Sequence, residues 1–97
     1  MELTFSAELF PWAANGSWVF AAVPMDDADA IEDATSLTGG FGSVKVEVQI
    51  GDTVWLTSLF PSKEMQTYVL PIKKAVRSAE GVEQGDTAEI TIRLVHV

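Results

Sequence analysis

The sequence contains no cysteine, and its single histidine, His96, is the residue before the last. Without thiols the chain has no disulfide framework and no thiolate nucleophile. A Ser–His–Asp triad would depend on one residue beside a terminus, where chains fray, and a zinc site with three histidines is excluded. We therefore predict no catalytic residue, no bound metal and no cofactor.

Long apolar runs are also missing. No run approaches the roughly 20 residues that a membrane-spanning helix needs. The start MELTFSAELF lacks the basic segment that begins a secretory signal. Together with the lack of cysteine, these features predict a cytoplasmic protein that does not enter a membrane.

Basic residues are scarce, because six lysines and arginines are set against fourteen acids, for a formal net charge of −8. Such a chain repels a phosphate backbone over most of its surface, which disfavours nucleic acid as a partner. Four of the six bases nevertheless lie close together in the sequence. They are Lys63, Lys73, Lys74 and Arg77.

Alternation of apolar and polar residues predicts six strands. The first spans residues 2–10, and its inward face is predicted to be Leu3, Phe5, Ala7 and Leu9. The others are predicted at residues 17–23, 44–50, 53–60 and 66–71, and from the Gly85–Asp86 turn to residue 94. Gly51–Asp52 has glycine first, as a type II′ hairpin turn prefers. Residues 53–60 are apolar on both faces, which indicates a central strand.

Two short helices are predicted between the strands. Pro24 opens a very acidic segment that Gly39 is predicted to cap. A second helix is predicted from Pro71 to Gly81, with proline at its start and glycine at its end. Its apolar face is predicted to be Ile72, Ala75, Val76 and Ala79, and its solvent face Lys73, Lys74 and Arg77.

Ninety-seven residues are enough for one domain, so we predict that residues 1–97 fold as a unit. A sheet of six twisted strands in so short a chain is expected to curl, because curling brings its exposed edges together. The prediction is a mainly β protein: a small six-stranded β-barrel, closed or partly open, with two short helices against its openings or its outer wall.

The order VFAAVP, GGFGSVKVEVQI, TVWLTSLFP and YVLPIKKAVRSAEGVEQGDTAEITI resembles a bacterial and archaeal family, the domain of unknown function 1905. The resemblance runs from about Phe5 to Leu94, and WLTSLFP and YVLPIKKA are its most specific segments. It implies a small closed β-barrel and no established activity. The last third of the chain is also similar to the strand–helix–strand unit of swapped-hairpin DNA-binding regulators.

The start of the second helix is the best candidate site. Lys73 and Lys74 lie where the helix dipole disfavours a cation by roughly 0.3–1 kcal/mol, and cations beside free N–H groups can bind an anion. The alternative is a solvated amphipathic face, as most such helices have. Arg77, four residues after Lys73, is predicted to share its side of the helix.

Four further residues join the candidate ligand-binding set. Tyr68 is predicted beside the cationic helix, with Lys63 just upstream. Ser58 shares a strand face with Leu56 and Phe60, so its hydroxyl is predicted to point into the barrel. Trp55 belongs to a group of aromatic residues that would either line a cavity at one barrel mouth or pack in the core. The group is Trp12, Trp18, Trp55, Phe60 and Tyr68.

These residues favour a non-enzymatic β-barrel that binds a small anionic ligand or a protein partner, as a monomer or weak dimer. Two alternatives stay open. A nucleic-acid-binding module would use the cationic helix and bind in a strongly salt-dependent way. An enzyme acting inside the barrel would need a polar cavity connected to solvent.

Overall fold

The computed structural model describes residues 1–12, 15–35 and 42–95 of the chain, without the side chains of residues 12 and 15–17. These ranges contain seven strands and two helices. The strands are β1 (Glu2–Glu8), β2 (Phe10–Trp12), β3 (Asn15–Ala22), β4 (Val44–Ile50), β5 (Thr53–Ser62), β6 (Thr67–Pro71) and β7 (Thr87–Leu94). The helices are α1 (Met25–Thr35) and α2 (Lys74–Glu80).

All pairings in the sheet are antiparallel, in the order β1-β7-β4-β5-β6-β3-β2. The two end strands, β1 and β2, are consecutive in the chain and are joined through Leu9 alone. The sheet must therefore curl, and it forms a half-barrel. The predicted mainly β fold with two helices is confirmed.

The predicted number of strands is wrong by one, because the first predicted strand breaks at Leu9. The Leu9 amide donates a 2.8 Å hydrogen bond to the Asp86 carbonyl, and its carbonyl accepts one of 2.8 Å from the Gly85 amide. These bonds hold Leu9 beside the turn before β7, while Phe10 pairs with Phe20 of β3. The predicted first strand is thus divided: residues 2–8 form one end strand of the sheet, and residue 10 begins the other.

The strand β5 connects the two halves of the sheet and is central, as predicted. Its residues 53–59 pair with β4, and residues 60–62 pair with β6. Ile50 pairs with Thr53 across a two-residue turn in which Gly51 has a φ of +56°. Asp52 does not share this positive φ, so the geometry fits the predicted type II′ turn.

The core fills the concave side of the sheet with alternating strand residues and a few residues from the helices. The predicted inward residues Ala88, Ile90 and Ile92 are buried, as are the alternate residues of β4. No described side chain that is polar or charged is buried. The interior of the described part is therefore a packed apolar core.

The outward face of β5 contradicts one prediction. Leu56 is 71% exposed and Phe60 is 45% exposed, whereas Trp55 and Leu59 point inward and are buried. Ser58 lies between Leu56 and Phe60 on the outer face, so its hydroxyl does not point into the barrel. A strand that is apolar on both faces gives no alternation from which to choose its inner side.

The second helix is shorter than predicted, and the first begins at Met25. Ala28 and Ile31 of α1 are buried, and the predicted cap Gly39 lies outside the described residues. Helix α2 does not start at Pro71, which is the last residue of β6, but after the extended residue Lys73. Gly81 ends α2 in the left-handed conformation, as predicted. Neither helix has the length and apolar character needed to cross a bilayer, judged over the described residues.

The predicted apolar face of the second helix is half wrong. Ile72 and Val76 are buried, but Ala75 and Ala79 are exposed. Because α2 has only seven residues, a single side chain in its middle reaches the core. The helix is attached mainly through Val76 and through the segment that precedes it.

Candidate functional site

The structure distributes the predicted site residues over separate places. Lys73, Lys74 and Arg77 line a groove beside α2, whereas Lys63 and Tyr68 line a pocket beneath α1. Tyr68 and Lys73 are five residues apart on extended backbone, about 16 Å at the usual rise of a strand. Ser58 lines a third pocket together with Lys45, and Trp55 is buried in the core. The predicted position of Tyr68 beside the cationic helix is therefore wrong.

The groove beside α2 has a volume of about 230 Å³ and is formed where β3 meets the end of β6. Phe20 pairs with Pro71, and the Ile72 amide donates a 2.9 Å hydrogen bond to the Val19 carbonyl. Trp18 precedes Val19 and Lys73 follows Ile72, so both residues lie next to this hydrogen bond. Both side chains are exposed and line the groove, so strand pairing brings an indole and an ammonium together.

Trp18 belongs to a row of aromatic rings on the outer face of β2 and β3. Its ring is nearly parallel to that of Phe20, at 17° with centroids 6.2 Å apart, and Phe20 contacts Phe10 at 6.3 Å. Even so, Trp18 remains 54% exposed. The row supports the indole from one side and leaves much of its surface to solvent.

The lysines of the groove are not neutralised. Lys73 and Lys74 are exposed and form no ion pair with any part of the chain that the structure describes. The described residues that line the groove include no carboxylate. Lys73 is the N-cap of α2, yet its side chain makes no capping hydrogen bond. The groove is thus a locally cationic surface on an acidic protein.

Arg93, on the outer face of β7, differs from these lysines because neighbouring carboxylates balance its charge. Its Nε donates to Glu2 Oε1 at 2.6 Å, and its Nη1 donates to Glu47 Oε1 at 3.1 Å. The hydrogen bond that Arg93 donates to Glu2 is the main reason that the pKa of Arg93 is raised above its ordinary value. Lys73 and Lys74 have no such carboxylate within the part of the chain that the structure describes.

Arg77 does not belong to the solvated cationic face on which it was predicted. Its side chain is only 11% exposed, and its Nε donates a 3.0 Å hydrogen bond to the Ile72 carbonyl. Its Nη1 lies 3.7 Å from Glu83 Oε2. Because Lys73 is extended rather than helical, the expected four-residue spacing along one helix side does not apply. Arg77 ties α2 to the end of β6, and its charge is partly matched.

The pocket beneath α1 has a mixed character. It measures about 360 Å³, and Lys63 and Tyr68 share it with the carboxylates of Asp29 and Glu32. The Thr67 hydroxyl at its wall donates a 2.6 Å hydrogen bond to the Val23 carbonyl. The acids counter the charge of Lys63, so this pocket offers less attraction to an anion than the groove does.

Sequence reasoning missed Trp18 as a partner of the lysines, although it named this residue among aromatics that would line a barrel mouth. Trp18 and Phe60 lie on the outer face and Trp55 in the core, so these three do not line one cavity. Trp18 is identified as a neighbour of the lysines by the antiparallel pairing of β3 with β6. This pairing cannot be read from the sequence pattern. The side chain of Trp12 lies outside the description.

Neither metal binding nor the alternative of an enzyme inside the barrel finds support among the described residues. No three histidine, cysteine, aspartate or glutamate side chains among them converge as metal ligands would. Since the described core contains no buried polar group, it offers an enzyme acting inside the barrel neither acid, base nor nucleophile. His96 lies outside the described ranges.

A comparison with known protein families matches nearly the whole chain. The family model of the domain of unknown function DUF1905 matches residues 5–92, which include every strand in whole or in part and the residues of the groove. No curated protein matches the chain. The predicted resemblance is confirmed, and it assigns no activity.

Proposed function

The chain belongs to the family of the domain of unknown function DUF1905, and we propose that it is a non-enzymatic binding domain for a small anionic ligand. The proposed site is the groove formed by Trp18, Pro71, Lys73 and Lys74, which we call the Trp18 groove. The observation that carries this proposal is the presence of two lysines that form no ion pair with the described residues, in a groove whose described lining contains no carboxylate, on a chain of net charge −8.

The lysines add nothing to stability that would explain their position. At the start of a helix a cation is unfavourable rather than stabilising, although the cost is small on a helix of seven residues. An N-cap without a side-chain acceptor also leaves helix amides to solvent. A bound anion would compensate both lysines, which is the physical basis of the proposal. The attraction comes from the two ammonium groups, since α2 is too short for a substantial dipole of its own.

Charge alone gives this groove only weak affinity. An ammonium about 4 Å from an anion contributes about 1 kcal/mol in bulk water, and both lysines are exposed. Two contacts therefore give about 2 kcal/mol, whereas a Kd of 1 mM corresponds to about 4 kcal/mol. The remainder must come from the apolar wall of Trp18 and Pro71.

A nucleic-acid strand is the weaker candidate for this groove. A strand carries a regular series of phosphates, and those beyond the two lysines would meet a predominantly acidic protein. A small anion avoids this repulsion. We propose that the ligand is met in the cytoplasm, as expected for a cysteine-free chain, and that the protein acts as a monomer or weak dimer.

The test is a titration with inorganic phosphate at constant ionic strength, followed by amide NMR shifts. We expect the largest shifts at Trp18, Lys73 and Lys74, and at least tenfold weaker binding in the double variant Lys73→Glu/Lys74→Glu. The matched control is Lys45→Glu/Lys63→Glu, which changes the net charge equally at two exposed sites outside the groove. Equal weakening in both variants, or no phosphate binding at all, contradicts the proposal.

A further inference from the structure

Resting on the proposed function, we infer that the ligand of the Trp18 groove is a mononucleotide-type molecule, with a planar heteroaromatic ring linked to a phosphate. The ring stacks on the Trp18 indole, and the phosphate contacts the ammonium groups of Lys73 and Lys74. The inference depends on the position of the indole relative to the two charges, and on the size of the groove.

The indole is presented as a stacking surface. Trp18 is 54% exposed although it lies on a strand, and its neighbour Phe20 packs nearly parallel to it and is itself in contact with Phe10. This row restricts the orientation of the indole without covering it. A supported and exposed aromatic ring is the feature that proteins use to bind a base by its π face.

The ammonium groups of Lys73 and Lys74 belong to the same groove as the exposed indole. Trp18 precedes Val19 and Lys73 follows Ile72, the two residues joined by the last hydrogen bond between the segments, and both side chains line the groove. Lys74 follows at the first position of α2 and lines the same groove. A ligand whose ring lies on the indole therefore has its anionic group beside two ammonium groups, with Pro71 along its apolar edge.

The groove is small, which favours a ligand no larger than a single nucleotide. Its volume of about 230 Å³ is below the roughly 300–1,000 Å³ of pockets for larger ligands. An aliphatic anion would leave the indole unused, and a neutral aromatic compound would leave both lysines unused. A polymer would extend beyond the groove over a chain of net charge −8.

The experiment compares four probes by NMR titration at constant ionic strength: AMP, ribose 5-phosphate, adenosine, and a single-stranded oligoadenylate. We expect AMP to bind at least tenfold more tightly than ribose 5-phosphate and than adenosine. In Trp18→Ala, AMP should bind no more tightly than ribose 5-phosphate, whereas Trp18→Phe should retain part of the preference. Leu56→Ala, which removes another exposed apolar side chain far along the outer face, should leave the preference unchanged.

Each outcome decides one question. If phosphate and ribose 5-phosphate bind but AMP gains nothing, the mononucleotide inference is overturned and the anion site stands. If no phosphate compound binds, both are overturned. If oligoadenylate binds more tightly per site than AMP, with a steep dependence on salt, the ligand is a nucleic-acid strand and the mononucleotide inference is overturned. Amide spectra of Trp18→Ala that match the parent outside the groove show that the variant is folded.

Discussion

The Thr53 hydroxyl donates a 2.5 Å hydrogen bond to Glu80 Oε2, and the same carboxylate lies against the Cα of Gly51. The last residue of α2 is thereby held on the β4–β5 turn. Arg77, in the middle of α2, donates a hydrogen bond to the Ile72 carbonyl just before the helix begins. The helix that carries Lys74 is fixed at two points, so the wall of the Trp18 groove is formed before any ligand binds.

Replacing Gly51 by alanine should destabilise the protein by about 2–4 kcal/mol. The φ of +56° is unfavourable for alanine, and an added Cβ would lie 2.0 Å from Glu80 Oε1, so the carboxylate would have to move. The measurement is urea unfolding followed by circular dichroism.

The control for this substitution is Gly85→Ala, where φ is +91° and an added Cβ meets no atom within 4 Å. This change should cost roughly 1–2 kcal/mol, from backbone strain alone. In a Glu80→Ala background, Gly51→Ala should cost no more than this control does. Full additivity of Gly51→Ala and Glu80→Ala would show that the carboxylate does not restrict Gly51.

Replacing Arg77 by lysine should lower the free energy of unfolding by about 1–2 kcal/mol. Lysine has no Nε–H at the position that donates to the Ile72 carbonyl, and its single ammonium cannot replace a guanidinium that bonds from several atoms. Because the positive charge is kept, phosphate binding should change less than threefold. A tenfold loss of binding with unchanged stability would instead make Arg77 a direct ligand contact.

Replacing Lys73 by serine should have opposite effects on stability and binding. Serine is a good N-cap, so the unfolding free energy should rise by about 0.5–1 kcal/mol. Phosphate binding should weaken, because one of the two ammonium groups is removed. Thermal unfolding and the phosphate titration measure the two effects, and Lys63→Ser in the β5–β6 turn is the control for loss of a lysine elsewhere. Parallel changes in stability and affinity would contradict the proposal.

Two leucines of β5 test the assignment of its faces. Leu59→Ala should cost about 2–5 kcal/mol, because Leu59 is fully buried in the core. Leu56→Ala should change stability by less than about 0.5 kcal/mol, since Leu56 is 71% exposed. Chemical denaturation of the two variants makes the comparison, and similar costs would mean that Leu56 is covered in solution.

The elements that sequence reasoning predicted well are those in which a local signal and the tertiary structure agree. The last strand, β7, alternates clearly and has one polar face, and Gly51, Gly81 and Gly85 occupy positions with positive φ that glycine favours. The break at Leu9 was missed because Leu9 continues the alternation of β1. Its cause is a pair of hydrogen bonds to residues 85 and 86, far along the chain.

The candidate site was harder to predict than the fold. The lysines stand out in the sequence because basic residues are rare, and the structure does place Lys73 and Lys74 in one groove. Arg77 was assigned to their face on the assumption that the helix begins at Pro71. Trp18 is 55 residues before Lys73, and only the register between β3 and β6 brings them together.

The pairing of Glu2 with Arg93 has a consequence for how the chain folds during synthesis. One edge of β1 and one edge of β4 are both satisfied by β7, so neither pairing forms until nearly the whole domain has left the ribosome. Until then the backbone groups of these two edges remain unpaired, and pairings of such long sequence separation form slowly. Before β7 has paired, electrostatic repulsion between chains of net charge −8 opposes association of the incomplete sheet with other copies.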